Sequence, residues 1–151
     1  MSELPFRPFT DDAAICHVGE GLLSRALPRS EWTHEAHLAA TLWLLRERPD
    51  IDVDREIALI ISRYNESVGG VNDDTQGYHD SITRAFVAGV RAHLAGRPGT
   101  EPLTVSVNAL LASPAGQRDW PLRFYSRERL FSVAARRGFV PPDIEPLPIV
   151  V

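Results

Sequence analysis

Apolar residues recur at helical spacing along nearly the whole chain, and almost nowhere do they alternate as a half-buried strand requires. Over 11–27, Ile15, Val18, Leu22 and Leu23 fall on one face. Acidic residues open that stretch and Arg25 lies near its end, as the helix dipole favours. Over 34–48, His34, His37, Leu38, Thr41 and Leu45 follow i, i+3, i+4, i+7 and i+11, and the run stops before Pro49. Ile57, Ile60, Ile61 and Tyr64 align over 52–67, ahead of Gly69-Gly70. His79, Ile82, Thr83, Phe86 and Val90 align over 78–94, ahead of "GRPG". A fifth helix is predicted over 101–113, with Thr100 as cap and Pro102 in the first turn, where proline is tolerated. A sixth is predicted over 126–138, with Ser126 as cap and Gly138 as a left-handed terminator. The β-branched run at 103–107 also fits a strand.

These segments predict an all-α fold: a single compact domain over 1–151 with five to six helices and an extended Pro-rich C-terminal strap. The strap, "VPPDIEPLPIVV", holds four prolines and is expected to lie across the surface through Ile144, Leu147 and Ile149. The loop over 68–77 is longer than an ordinary connection, and such loops tend to carry function. It leads straight to His79, and it is expected to be ordered, with Val68 and Val71 inward and Asn72 or Asp73 bonding nearby backbone.

Composition narrows the chemistry. The net charge of −4 and scattered arginines argue against a nucleic-acid partner, since nothing concentrates positive charge. All 16 basic residues are arginine, so Schiff-base chemistry, pyridoxal-phosphate anchoring and lysine-dependent phosphate loops are excluded, and no nucleotide or PLP cofactor is expected. A single cysteine, Cys16, excludes an internal disulfide and suits a reducing, cytoplasmic setting. The N-terminal stretch lacks the basic and apolar regions of a signal peptide, and no apolar run is long enough for a membrane span. None of this bears on oligomeric state.

The candidate chemistry lies in "WTHEAH" (32–37) and "GYHDSIT" (77–83). Thr33 is a good N-cap, which puts Trp32 and His37 at the two positions of a hydrophobic staple. His34, His37 and His79 all point inward at helix starts, and three readings follow. In the first, His34 and His37, at i, i+3, share one divalent ion with His79, leaving an open position; zinc fits such a His₃ set. Repulsion by the helix dipoles, about 1 kcal/mol or less per helix, is small beside zinc-site energies of about 10–16 kcal/mol. In the second, no metal is needed: neutral histidines with Tyr64, Asn65, Thr83 and Arg84 bind a small anionic ligand, with histidine as general acid or base. In the third, the histidines only tie helix ends together. Composition and spacing leave enzyme, binding module and structural protein open. His17 and His93 read as surface residues. The aromatic and arginine-rich 119–130 segment reads as core rather than as a pocket wall.

"WTHEAHL", "RYNESVGGVNDDTQGYHDSITR" and "YSRERLFSVAARRGFVPPDIEPLP" together resemble an uncharacterised family of small bacterial helical proteins. The shared motifs are W-T-H-x-A-H-L, Y-N-x-x-V-G-G-V-N and Y-H-x-x-I-T-R. They match at His34, His37, Tyr64, Asn65, Gly69, Gly70, Asn72, His79, Thr83 and Arg84. The family pattern has Y-H-E-T where this chain has Asp80 and Ser81, which shortens a carboxylate and removes a methyl. The resemblance implies no particular activity.

Overall fold

A computed structural model describes residues 6–150; residues 1–5 and 151 lie outside it, and with them the first residues of the stretch tested above for a signal peptide. Among the described residues the fold is all-helical: α1 (Asp12–Ser24), α2 (His34–Glu47), α3 (Val53–Ser67), α4 (Asp80–Ala95), α5 (Leu103–Ala112) and two single-turn helices, α6 (Arg127–Leu130) and α7 (Val133–Arg137). None of these helices is long and apolar enough to cross a membrane.

α2 forms the axis. Ala36 and the whole run from Leu38 to Leu44 are buried, so this helix is enclosed on nearly every side. A helix that is apolar all round belongs in the middle of a fold. α1, α4 and α5 pack around it. Each fully buried leucine on it, Leu38, Leu42 and Leu44, contributes about 1.5–3 kcal/mol relative to exposure. α1 lies close because Gly19 sits flat against the Trp43 ring, where a Cβ would collide with the indole. α1 then ends at Arg25, a non-glycine residue in the left-handed region (φ 63°), and the turn is closed by bonds from 25–27 back to the Gly21 and Leu22 carbonyls.

α5 settles the helix-or-strand question at 103–107. Leu103, Val107, Leu110 and Leu111 are buried at i, i+4, i+7 and i+8, a helical face whose packing outweighs β-branched propensity. Its start differs from expectation: the cap position is Pro102, not Thr100, and proline offers no capping side chain. Asp12 of α1 does that work from across the fold, accepting the Thr104 N–H (2.8 Å) and the Thr104 hydroxyl.

The single helix expected over 126–138 is split. Ser132 opens a new cap, accepting the Ala135 N–H at 3.1 Å, and the chain turns between α6 and α7 with Phe131 left outside. Gly138 is extended (φ −162°) rather than a left-handed terminator. The C-terminal strap is extended as expected, but its anchors differ. Ile144 and Ile149 are exposed, whereas Val140 and Leu147 pack on a second core of Ala85, Phe124, Tyr125 and Leu130. The Tyr125 hydroxyl donates to the Val140 carbonyl (2.6 Å), and the Ile144 N–H donates to the Phe124 carbonyl (2.9 Å). Trp120, Phe124 and Tyr125 are therefore core or core-packed, as the sequence suggested.

Gly19→Ala should lower stability by about 1–3 kcal/mol despite the better helix propensity of alanine, because the indole of Trp43 has no room to yield. Urea unfolding measures this. Gly99→Ala, at a site open to space, should change stability by less than about 0.5 kcal/mol.

Candidate functional site

The two histidine motifs meet because α2 and α4 pack side by side. At the start of α2, Thr33 caps the helix by accepting the Ala36 N–H at 3.1 Å. Trp32, one residue earlier, folds back and stacks on the His37 imidazole, with ring centroids 3.8 Å apart and planes 29° apart. This is the staple predicted from the sequence, closed by an imidazole instead of an aliphatic side chain. Behind it the Tyr64 ring tilts against Trp32 at 5.3 Å.

The start of α4 is built by His79 itself. Its Nδ1 accepts the Ile82 N–H at 3.1 Å, so His79 is the N-cap rather than a residue of the first turn. Its Nε2–H donates to the Leu130 carbonyl at 2.7 Å, joining α4 to the end of α6. The ring is 8% exposed. Desolvation lowers its pKa, outweighing the Leu130 bond, which acts the other way. A proton on Nδ1 would destroy the cap, so geometry and desolvation both favour the neutral ring.

His34 donates Nε2–H to the Gly116 carbonyl at 2.8 Å and meets Phe86 edge-on at 5.6 Å. His37 differs from both. Among the described residues no protein group hydrogen-bonds either ring nitrogen. It is exposed, and it lines a cavity. Desolvation, then the charges of His34 and Arg118, pull its pKa down to about 3. In the unliganded protein at neutral pH it is an uncharged imidazole that can both donate and accept.

That cavity measures about 600 Å³. Leu38, Ile61, Val68, Ile82 and Phe86 make its apolar walls, with Trp32 and the three histidines among them. Thr33, Thr41, Asn65, Tyr78 and Thr83 add polar atoms. Three arginines, Arg29, Arg118 and Arg136, line it, and no aspartate or glutamate does. Arg29 and Arg118 are exposed and have no ion-pair partner among the described residues, which places them toward its mouth.

The loop over 68–77 is held as a rim. Asn72 accepts from the Asn65 amide and the Tyr78 N–H, both at 2.9 Å, and donates to the Ser62 carbonyl at 3.0 Å. Asp73 folds the tip by accepting from Thr75 and Gln76. Gly77 adopts φ 81°, and a Cβ there would strike Val71 and Asn72. From the far side Arg136 of α7 donates to the Gly77 carbonyl (3.0 Å), and Arg137 pairs with Asp74 at 2.7 Å. Val68 packs inward as expected; Val71 does not and is exposed, because Asn72 occupies the inward position.

Of the residues singled out from the sequence, His34, His37, His79, Asn65 and Thr83 line the one cavity. Tyr64 and Arg84 do not. Tyr64 is fully buried, and its hydroxyl donates to the Leu27 carbonyl at 2.9 Å. Arg84 turns away to Asp80 (2.9 Å) and to the Asp54 carbonyl (3.0 Å). Among the described residues no group of three or more His, Cys, Asp or Glu side chains is placed to hold one metal ion. Both nitrogens of His79 and one of His34 are occupied by protein hydrogen bonds. His93, expected at the surface, is half-buried and donates to the Ser106 carbonyl at 2.9 Å, whereas His17 is exposed beside Glu31.

The arginines and Tyr78 escaped the sequence reading. Arg29 stands three residues before Trp32, and Tyr78 directly before His79; closeness to the motifs was the one available signal. Arg118 comes from a segment with no motif, and Arg136 from the quoted 125–148 stretch, where nothing marked it for a site; only the packing brings them here. Comparison with known proteins gives no match to any family model, curated protein or solved structure.

Stability should fall with acid in a window set by these rings. His37 and His79, and likewise His93, have folded pKa values below the unfolded value of 6.5, so the unfolded chain takes up these protons first. Stability is therefore full above pH 6.5 and is lost progressively below it, before the carboxylates titrate. Urea unfolding at intervals between about pH 6.5 and 5 reads the slope. His79→Asn keeps a capping side chain but removes one titrating ring. It should be less stable than wild type at pH 7, by about 1–3 kcal/mol for the unpaired Leu130 carbonyl, and its slope should be flatter.

Proposed function

We propose that the cavity binds a small organic anion with an apolar body, and that His37 is the side chain that exchanges a proton with it. One observation carries this reading: a protein of net charge −4 gathers three arginines and no acid around its cavity. Fixed positive charge at the mouth of an apolar-walled cleft concentrates anions there, and guanidinium groups suit carboxylate or phosphate geometry. The apolar walls then select for a hydrophobic body, as small-molecule sites generally do. A concave site of this size suits a small molecule better than a nucleic-acid backbone, which needs an extended basic surface. His37 fits the proton-exchange role because its nitrogens have no protein partner.

The three-histidine zinc reading is less well supported, since it would require His79 to give up the cap of α4 and its bond to Leu130. We further propose that the motifs shared with the uncharacterised bacterial family encode this cavity, because His34, His37, Asn65, His79 and Thr83 belong to both. A cytosolic setting is proposed on the single cysteine alone.

The melting temperature tests the reading, with phenylacetate, inorganic phosphate and zinc as separate additions. Phenylacetate at a hundred times its Kd should add about 2.7 kcal/mol, on the order of 5–10 °C for a chain of this length. Phosphate should do less, having nothing to place against the walls. Replacing Arg29 and Arg118 together by alanine should weaken phenylacetate binding about tenfold or more, and added salt should shrink that difference. No stabilisation by phenylacetate between pH 6 and 8 would refute the anion reading. Stoichiometric zinc in the purified protein, with a chelator-sensitive melting temperature, would restore the metal reading in its place.

A further inference from the structure

The three imidazoles of the cavity are unequally committed to the protein. His79 has both ring nitrogens in hydrogen bonds and His34 has one, whereas among the described residues no protein group bonds either nitrogen of His37. The His37 ring is exposed and lines the cavity, and Trp32 covers a face of it rather than the edge that carries the nitrogens. Desolvation above all, with the charges of His34 and Arg118, holds its pKa down to about 3, so at neutral pH no proton competes for its lone pair. A neutral imidazole lone pair serves a metal as readily as it serves a proton.

A bare ion finds too few ligands here, since among the described residues no group of three or more His, Cys, Asp or Glu side chains is placed to hold one. An iron already held by the nitrogens of a porphyrin needs only one from the protein, and histidine is a common choice. The rest of the cavity suits the rest of such a ligand. Its walls are largely apolar, and Trp32 and Phe86 add flat aromatic surface for a planar π system. Arg29 and Arg118 are exposed, have no ion-pair partner among the described residues, and match the geometry of carboxylates, while no acidic side chain lines the cavity to repel them. The volume of about 600 Å³ is large for a single-ring acid, which would leave much apolar wall without contact. A macrocycle comes nearer to filling it. We infer that the cavity takes an iron porphyrin, with a His37 nitrogen displacing water from one axial position of the iron and the propionates meeting Arg29 and Arg118. This rests on the anion reading and narrows its ligand class; the lone pair of His37 goes to iron rather than to a proton.

Haemin and metal-free protoporphyrin, titrated separately into the full chain purified without porphyrin, test it. Both carry the same carboxylates and the same apolar ring, but haemin alone can accept an axial nitrogen. Haemin should saturate at an equal molar ratio, with the sharpened, red-shifted Soret band of imidazole-ligated iron. His37→Phe keeps an aromatic ring against Trp32 and removes both nitrogens. It should abolish that band and weaken haemin about tenfold or more, at least what loss of an outer-shell partner costs a metal site, while leaving the Kd of protoporphyrin within about twofold. Replacing Arg29 and Arg118 together by alanine should weaken both porphyrins about tenfold or more. His17→Ala, at an exposed histidine away from the cavity, should change nothing. Should His37→Phe not fold, His37→Gly asks the same question, because added imidazole should restore the band. A haemin spectrum without the imidazole band, or one that His37→Phe leaves unchanged, would overturn the inference. Binding of phenylacetate but of neither porphyrin would overturn it as well and leave the anion reading intact. Failure of phenylacetate and of both porphyrins to bind would remove the anion reading, and this inference with it.

Discussion

A neutral imidazole at position 79 closes two helix ends at once, and the site is arranged around that fact. Through Nδ1 it supplies the cap that lets α4 begin, and through Nε2 it takes the last carbonyl of α6. Both bonds are lost if the ring turns, and protonation of Nδ1 removes the cap while leaving the bond to Leu130. With α4 fixed against α6, the short helix α7 lands where Arg136 reaches the Gly77 carbonyl, and the loop over 68–77 becomes a wall. The ring is buried and uncharged, which is the state that a structural histidine in a desolvated position must keep.

The other two histidines of the motifs divide the remaining roles. His34 is half committed, anchored to Gly116 and keeping one nitrogen for the cavity. His37 is held by stacking alone, so its ring is oriented while its nitrogens stay unspent. Orientation without hydrogen bonds is an economical way to present a polar group to a ligand. The large flat indole of Trp32 fixes the plane, Tyr64 supports the indole from behind, and no partner competes for the proton. The cavity thus combines groups already bonded within the protein, such as Thr41, Tyr78 and Thr83, with one imidazole whose two nitrogens are both unspent.

Charge follows the same division. Three acidic residues near the cavity in sequence are occupied outside it: Asp74 with Arg137, Asp73 with its own loop, and Asp80 with Tyr78 and Arg84. Those pairings hold the rim together and withdraw negative charge from the interior. The arginines that remain are left to define the potential of the mouth, in a protein that is acidic as a whole.

Much of this was legible in the order of residues. Helical periodicity identified the five long helices, because burial of one face imposes a 3.6-residue repeat that composition cannot hide. The cap at Thr33, the staple between Trp32 and His37, and the inward phase of His34, His37 and His79 are local consequences of position within a helix, and they are present in the structure. What failed was whatever depends on a partner far away in the chain. Tyr64 and Arg84 have the right phase and proximity for a site, but the Leu27 carbonyl and the Asp54 carbonyl claim them. Pro102 can open α5 without a side-chain cap because Asp12 of α1 supplies one. A run of residues fixes the phase of a side chain about its own helix, because that depends on neighbours within one turn. It does not fix which atoms the side chain meets, since His79 with Leu130 and Arg136 with Gly77 are joined by packing across more than fifty residues. That is why the sequence determined where the imidazoles point, and only the tertiary structure decided which of their nitrogens were left free.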